Sequence, residues 1–129
     1  MTPEPLAAWY QIIQDRNPEG LGALLSEHVV FHSPIVYTPQ RGKEVATQYL
    51  AAALRAFFNE SFRYVREVTS GRDAILEFEV EIDGDSVNGV DMITWDDAGQ
   101  IVDFKVMIRP LKGIKLIHQK IAAMLQAHS

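Results

Sequence analysis

"ILEFEVEIDGDSVNGVDMITWDDAGQIVDFKVMIRP", residues 75–110, reads as three strands separated by two turns. In the first, Leu76, Phe78, Val80 and Ile82 alternate with Glu77, Glu79 and Glu81, the pattern of a strand with one face on a core and one in water. Asp83-Gly84 is a hairpin signal, because both central positions of such a turn need positive φ. "SVNGVDMITW" returns as a strand, "DDAG" turns again, and "QIVDFKVMIR" runs back. One residue resists the apolar pattern. Asp91 lies between Val90 and Met92, and it either points to solvent or sits in a pocket where its charge is costly.

Working outward, "FRYVREVT" is a further strand that turns at Ser70-Gly71-Arg72-Asp73. Before it, "KEVATQYLAAALRAFFNE" has helix-forming composition, with Val45, Tyr49, Ala53 or Leu54, and Phe57 on one face. "VVFHSP" reads as a brief strand halted by Pro34, and "IVYTPQRG" as a loop. "EGLGALLSEH" is expected to be a short helix burying Leu21, Leu24 and Leu25. At the N-terminus, Leu6, Trp9, Tyr10 and Ile13 make the stripe of an amphipathic helix opened by Thr2 or Pro3 and closed at Asn17-Pro18. After Pro110, a last helix carries Ile114, Ile117, Ile121 and Met124 or Leu125. The order predicts an α+β fold: an antiparallel sheet packed against three N-terminal helices plus a C-terminal one. No repeat or linker interrupts it, so residues 1–129 are read as one domain.

Composition narrows the function classes. The chain is 47% apolar and 22% charged, with net charge −5. Scattered Lys and Arg give no nucleic-acid surface, and the acidic balance disfavours anionic membranes. No cysteine is present, which removes disulfides, a thiolate nucleophile and Cys-based metal sites. Glu27, His28 and His32 suggest metal ligands, but His28 and His32 would lie close together on one face only on a helix, and "VVF" between them looks extended, so no dedicated metal site is expected. No apolar run approaches the ~20 residues of a membrane span, and no secretory signal is evident, so a cytoplasmic location is the expectation.

"LLSEHVVFHSP", "RGKE" and "VDMITWDDAGQIVDFKVMIRP", in this order and spacing, resemble the NTF2-like superfamily, the α+β cone shared by SnoaL-like cyclases and ketosteroid isomerases. That resemblance implies a curved antiparallel sheet wrapped against the helices, an apolar cavity open at one end, an apolar small-molecule ligand, no cofactor, and a homodimer built on the outer face. It also places Asp91 on the protonated aspartic acid of the isomerases' oxyanion hole. Trp9 falls where a helix-one tyrosine belongs, and Ser33 where the aspartate base belongs, so the usual steroid isomerisation is not expected.

If Asp91 faces the cavity, Gly89, Ile93 and Trp95 share its face, and Phe104, Val106 and Ile108 face inward from the next strand. With Phe78, they form an apolar wall that should raise the Asp91 pKa. Asp91 and His32 are the candidate catalytic residues, His32 as a replacement base if it reaches the cavity mouth. Trp9, Ser33, Tyr49, Phe78, Trp95, Phe104, Val106 and Ile108 are the candidate ligand-binding residues. Tyr10, Tyr37 and Arg109 are read as packing or surface groups that could also touch a ligand. Two readings stay open: a cofactor-independent isomerase, cyclase or lyase on an apolar carbonyl compound, or a non-catalytic ligand-binding or dimeric interaction module.

Overall fold

The computed structural model describes residues 3–127, the side chain of Ala127 excepted. Helix α1 (Glu4–Asp15) follows Pro3, while Thr2, the other expected cap, lies outside the described residues. Arg16 ends the helix in the left-handed region (φ +53°), one residue before the predicted stop. Asn17 then caps a single 3-10 turn, Pro18–Gly20, by accepting from the Glu19 N–H at 3.1 Å.

The expected second helix is only one turn, α2 (Leu21–Leu24), and the chain is extended from Leu25 onward as β1 (Leu25–His32). Leu25 is fully buried as expected, but from a strand. The "IVYTPQRG" loop contains a two-residue strand, β2 (Gln40–Arg41), paired antiparallel to β1. Helix α3 (Lys43–Phe57) buries Ala46, Leu50, Ala53, Leu54 and Phe57. Its stripe is rotated by about one residue from the expected one: Val45 is exposed and Tyr49 half-buried.

Four long strands follow: β3 (Arg63–Ser70), β4 (Asp73–Ile82), β5 (Asp85–Trp95) and β6 (Ile101–Arg109). Asp83 and Gly84 both have positive φ, as the hairpin between β4 and β5 requires. Helix α4 (Leu111–Ala127) then packs on α3 and on the ends of β5 and β6, burying Ile117 and Ile121. Among the described residues, no helix is long and apolar enough to cross a membrane.

The sheet order is β2-β1-β6-β5-β4-β3. β3 to β6 form an antiparallel meander, but β1 runs parallel to β6, so the sheet is mixed rather than wholly antiparallel. Register slips on β1–β6, β3–β4 and β5–β6 curve it, since a bulge adds a residue to one strand and bends it. The core fills the concave side, beneath α1 and α3. Alternation holds: Val87, Gly89, Asp91, Ile93 and Trp95 of β5 are all buried. On β6, Phe104 and Val106 are buried and Ile108 half-buried, while Lys105, Met107 and Arg109 are exposed.

Candidate functional site

Asp91 lies on the concave face of β5, 5% exposed, with Leu76 of β4 and Val106 of β6 as its cross-strand neighbours. Among the described residues, one side-chain partner reaches it. The Tyr64 hydroxyl, from β3, is 2.5 Å from Asp91 Oδ2. The indole of Trp9, fully buried on α1, donates its Nε1–H to the same hydroxyl at 2.9 Å. Trp9, Tyr64 and Asp91 therefore form one hydrogen-bonded chain tying α1 to β3 and β5.

Desolvation among apolar walls pushes the Asp91 carboxyl up to about 7 from an ordinary 3.8, and the Tyr64 hydrogen bond only partly offsets that shift. The Tyr64 phenol is itself pushed well above its usual value, first by burial and then by the charge and hydrogen bond of Asp91. Beside this chain, the Tyr10 hydroxyl donates to Glu67, and the Tyr10 ring meets the Tyr64 ring edge-on at 5.7 Å.

The other sequence candidates are spread around this centre. Phe104 sits 4.8 Å from Trp9 and 6.1 Å from Phe31, forming the floor behind the indole. Phe78 meets Phe57 at 5.1 Å and stacks on Phe62 at 5.2 Å, and Phe62 meets Tyr64 at 5.3 Å. This aromatic group fills the space between α3 and the sheet. Ile108 is half-buried further along β6, and Trp95 is buried at the far end of β5, where its backbone N–H donates to the Arg72 carbonyl. Tyr49 is half-buried at the edge of the core. Ser33 follows β1, and its Oγ accepts from the Ile35 N–H at 3.0 Å; no hydrogen bond joins it to the Asp91 group. Tyr37 is fully exposed.

His32 is the candidate that the geometry moves furthest from its expected role. Val29 and Phe31 are the buried members of β1, so His32 points to the opposite, convex face. There Nε2 pairs with Asp103 Oδ2 at 3.0 Å. A base for chemistry at Asp91 cannot act through the sheet. We expect His32→Ala to change stability by less than about 1 kcal/mol, as for other half-exposed pairs, and to leave any ligand binding unaltered; chemical denaturation and ligand titration check both.

The sequence pattern does not single out Tyr64 or Phe62. Regular alternation through "FRYVREVT" would put Phe62, Tyr64, Arg66 and Val68 on one face. Val65 instead bulges: Tyr64 pairs with Phe78, but Arg66 pairs with Glu77 and Glu67 with Leu76. Glu67 is thus brought to the concave side, within reach of Tyr10, and Arg66 is sent outward to Glu77. The available signal was Phe62 and Tyr64, two residues apart in a segment otherwise rich in charge. Three surface clefts, of about 500, 670 and 940 Å³, lie elsewhere: beside α1 at Pro5, Ile12 and Leu24; at Arg16 and Phe58; and at Arg63, Glu79 and Arg109. Asp91, Tyr64 and Trp9 line none of them. Among the described residues, no group of His, Asp and Glu could hold a metal ion.

Helices over the concave face of a curved mixed sheet, with one acid buried on that face, define an α+β protein of the NTF2-like cone type. The chain belongs to the SnoaL-like domain family, whose pattern it matches over residues 6–104. It is similar to the crystal structure of a steroid delta-isomerase from Pseudomonas aeruginosa, at 36% identity and TM-score 0.89, covering 96% of this chain and 90% of that one. An uncharacterised protein with a cystatin-like fold from Silicibacter pomeroyi is 30% identical with TM-score 0.85, over 95% and 85% of the two chains. A putative polyketide cyclase from Sinorhizobium meliloti shares the fold at 14% identity and TM-score 0.64, over 82% and 95%. No curated protein matches.

Proposed function

We propose that this protein is a cofactor-independent isomerase, cyclase or lyase of the SnoaL-like type, acting on an apolar carbonyl compound. One observation carries the reading: a carboxyl held among apolar walls, with its pKa raised to about 7 and a phenol bonded to it. A neutral acid and a phenol among apolar walls can share the charge that builds on a carbonyl oxygen as it becomes an enolate, while the proton lost from the adjacent carbon passes to a base supplied by solvent. The likeness to the steroid delta-isomerase supports this reaction class. Ser33, in place of an aspartate base, argues against the same substrate and route. A ligand would enter by displacing part of the Phe57, Phe62 and Phe78 group, which occupies the space facing Tyr64.

The test needs no knowledge of the natural substrate. In D2O, the protein should speed exchange of the protons next to the carbonyl of 1-indanone, read by NMR. Replacing Asp91 with Ala should cut that rate by roughly a hundredfold, the usual loss when a group stabilising an oxyanion is removed. Exchange no faster than in buffer would end the enzymatic reading. A binding module without turnover is the second reading, favoured by the sealed position of Asp91 away from all three clefts.

A homodimer belongs to the same proposal. Val68, Ile75 and Met107 are about half-exposed on the convex face, with Met92 beside Ile75 and Val90 beside Met107. Charged Arg66, Glu77 and Lys105 frame them, as a self-complementary interface would require. Light scattering at micromolar concentration would give the mass of two chains, reduced to one by Ile75→Lys.

A further inference from the structure

Tyr64 stands between two polar groups, the Trp9 indole and the Asp91 carboxyl, and its hydrogen-bond capacity decides what the site can offer a ligand. A phenol has one proton and two lone pairs. The Trp9 Nε1–H can only donate, so at 2.9 Å it takes one lone pair. The contact with Asp91, at 2.5 Å, can run either way. While Asp91 is ionised, Tyr64 must donate to it, and its only proton is spent. Once Asp91 holds a proton, the carboxyl can donate to the second lone pair. The phenolic proton is then free, with two donors polarising the oxygen that carries it.

We propose that Tyr64 is the catalytic donor to the ligand's carbonyl oxygen, and that Asp91 is a positioning residue acting through it: a proton on Asp91 turns the Tyr64 O–H from the carboxyl toward the ligand. This rests on the reading that the site takes a carbonyl compound. It reassigns the donor within that reading, and places on β3 the phenol that α1 lacks because Trp9 occupies its position.

Location supports the assignment. Asp91 lies on an interior strand, between Leu76 and Val106. Tyr64 lies on the terminal strand of the sheet, is half-buried as a residue, and has the rings of Tyr10 and Phe62 edge-on to its own. A ligand taking the place of the Phe62 and Phe78 rings would meet the hydroxyl before the carboxyl. The class of ligand follows: a flat ring ketone whose carbonyl lies at one end. The groups facing the pair are Trp9 and Tyr10 from α1, Glu67 from β3, Leu76 from β4 and Val106 from β6. Of the titratable ones, Glu67 is bonded to Tyr10. That leaves Asp91 as the group in direct contact whose proton sets the direction of the Tyr64 bond.

The probe is 1-indanone labelled with 13C at the carbonyl, whose infrared stretch falls when the oxygen accepts a hydrogen bond. With the full chain at pH 6, we expect saturable binding and a lowered stretch. Tyr64→Phe should abolish the lowering and weaken binding about tenfold, the size of one hydrogen bond. In the wild type, the lowering should fade between pH 6 and 8 as Asp91 ionises. Asp91→Asn, whose amide N–H donates to Tyr64 at any pH, should hold the lowering constant across that range.

A lowering that survives Tyr64→Phe and disappears in Asp91→Leu would assign the donor to Asp91, overturning this inference while leaving the proposed function standing. No saturable binding by the wild type would overturn both. Should Tyr64→Phe fail to fold, 3-fluorotyrosine at position 64 replaces it. A more acidic phenol must deepen the shift, and an unchanged stretch overturns the proposal.

Discussion

Asp91→Asn is expected to stabilise the protein at pH 8, by up to about 4 kcal/mol, and to change it little at pH 4. Burial raises this carboxyl from 3.8 to about 7, so the folded state holds a proton that the unfolded state releases more readily. Wild-type stability is therefore full below pH 3.8, declines as pH rises toward 7, and is flat above. Asparagine has no charge to desolvate, yet it keeps the shape of the side chain and a polar partner for Tyr64. Urea denaturation at pH 4, 6 and 8 would show the two proteins converging in acid and separating above neutrality. A variant less stable than the wild type at pH 8 would mean that Asp91 is ionised and well solvated when folded, and the acid's proposed role would go with it. A residue whose loss stabilises the fold is retained for some other reason, as is common where activity requires an unfavourable arrangement.

Gly89→Ala should cost about 3 kcal/mol, although it adds a single methyl group to a strand. The glycine faces the core between Phe78 of β4 and Ile108 of β6. A Cβ there would lie 2.5 Å from Phe78 Cζ, 2.6 Å from the Met107 carbonyl oxygen and 2.7 Å from Ile108 Cγ2. The phenyl ring could move, but the carbonyl belongs to the β5–β6 ladder and can retreat only by breaking it. The expected drop in melting temperature is roughly 10 °C. Phe78→Leu in the same chain should recover only part of the loss, because the backbone clash remains. Gly89→Ala tolerated without a shift in melting temperature would mean that the sheet is looser here than these distances allow. The absent side chain lets Phe78 lie flat across the sheet and reach Phe57 and Phe62, so this glycine also shapes the aromatic group in front of Tyr64.

The contrast between β3 and β5 explains how much of the site was legible in the sequence. β5 alternates without a break until its last residues, so the periodicity through "NGVDMITW" placed Gly89, Asp91, Ile93 and Trp95 on one face, as observed. The helices and the meander were readable for the same reason. β3 carries a bulge at Val65, which reverses the pattern midway, and no residue type announced it. Tyr64 became significant only through partners 55 and 27 residues away, Trp9 and Asp91. The extended start of β1 was hidden by leucines that suit a helix as well as a strand. Its parallel pairing with β6 could not be read at all, because the local pattern of a strand does not name its neighbour. His32 was ambiguous until the buried Val29 and Phe31 fixed which side of β1 faces inward.

That parallel pairing also constrains how the chain acquires its shape. Phe31 finds its partner in Phe104, and β1 has only the two residues of β2 on its other side. The meander from β3 to β6 consists of neighbours joined by short turns and can assemble early, whereas β1 must wait for a strand made some seventy residues later. During synthesis, the amino-terminal third would leave the ribosome with Leu25, Val29 and Phe31 uncovered until Ile101–Arg109 emerges. Truncations ending before Ile101 should therefore aggregate, and this long-range closure should limit the folding rate.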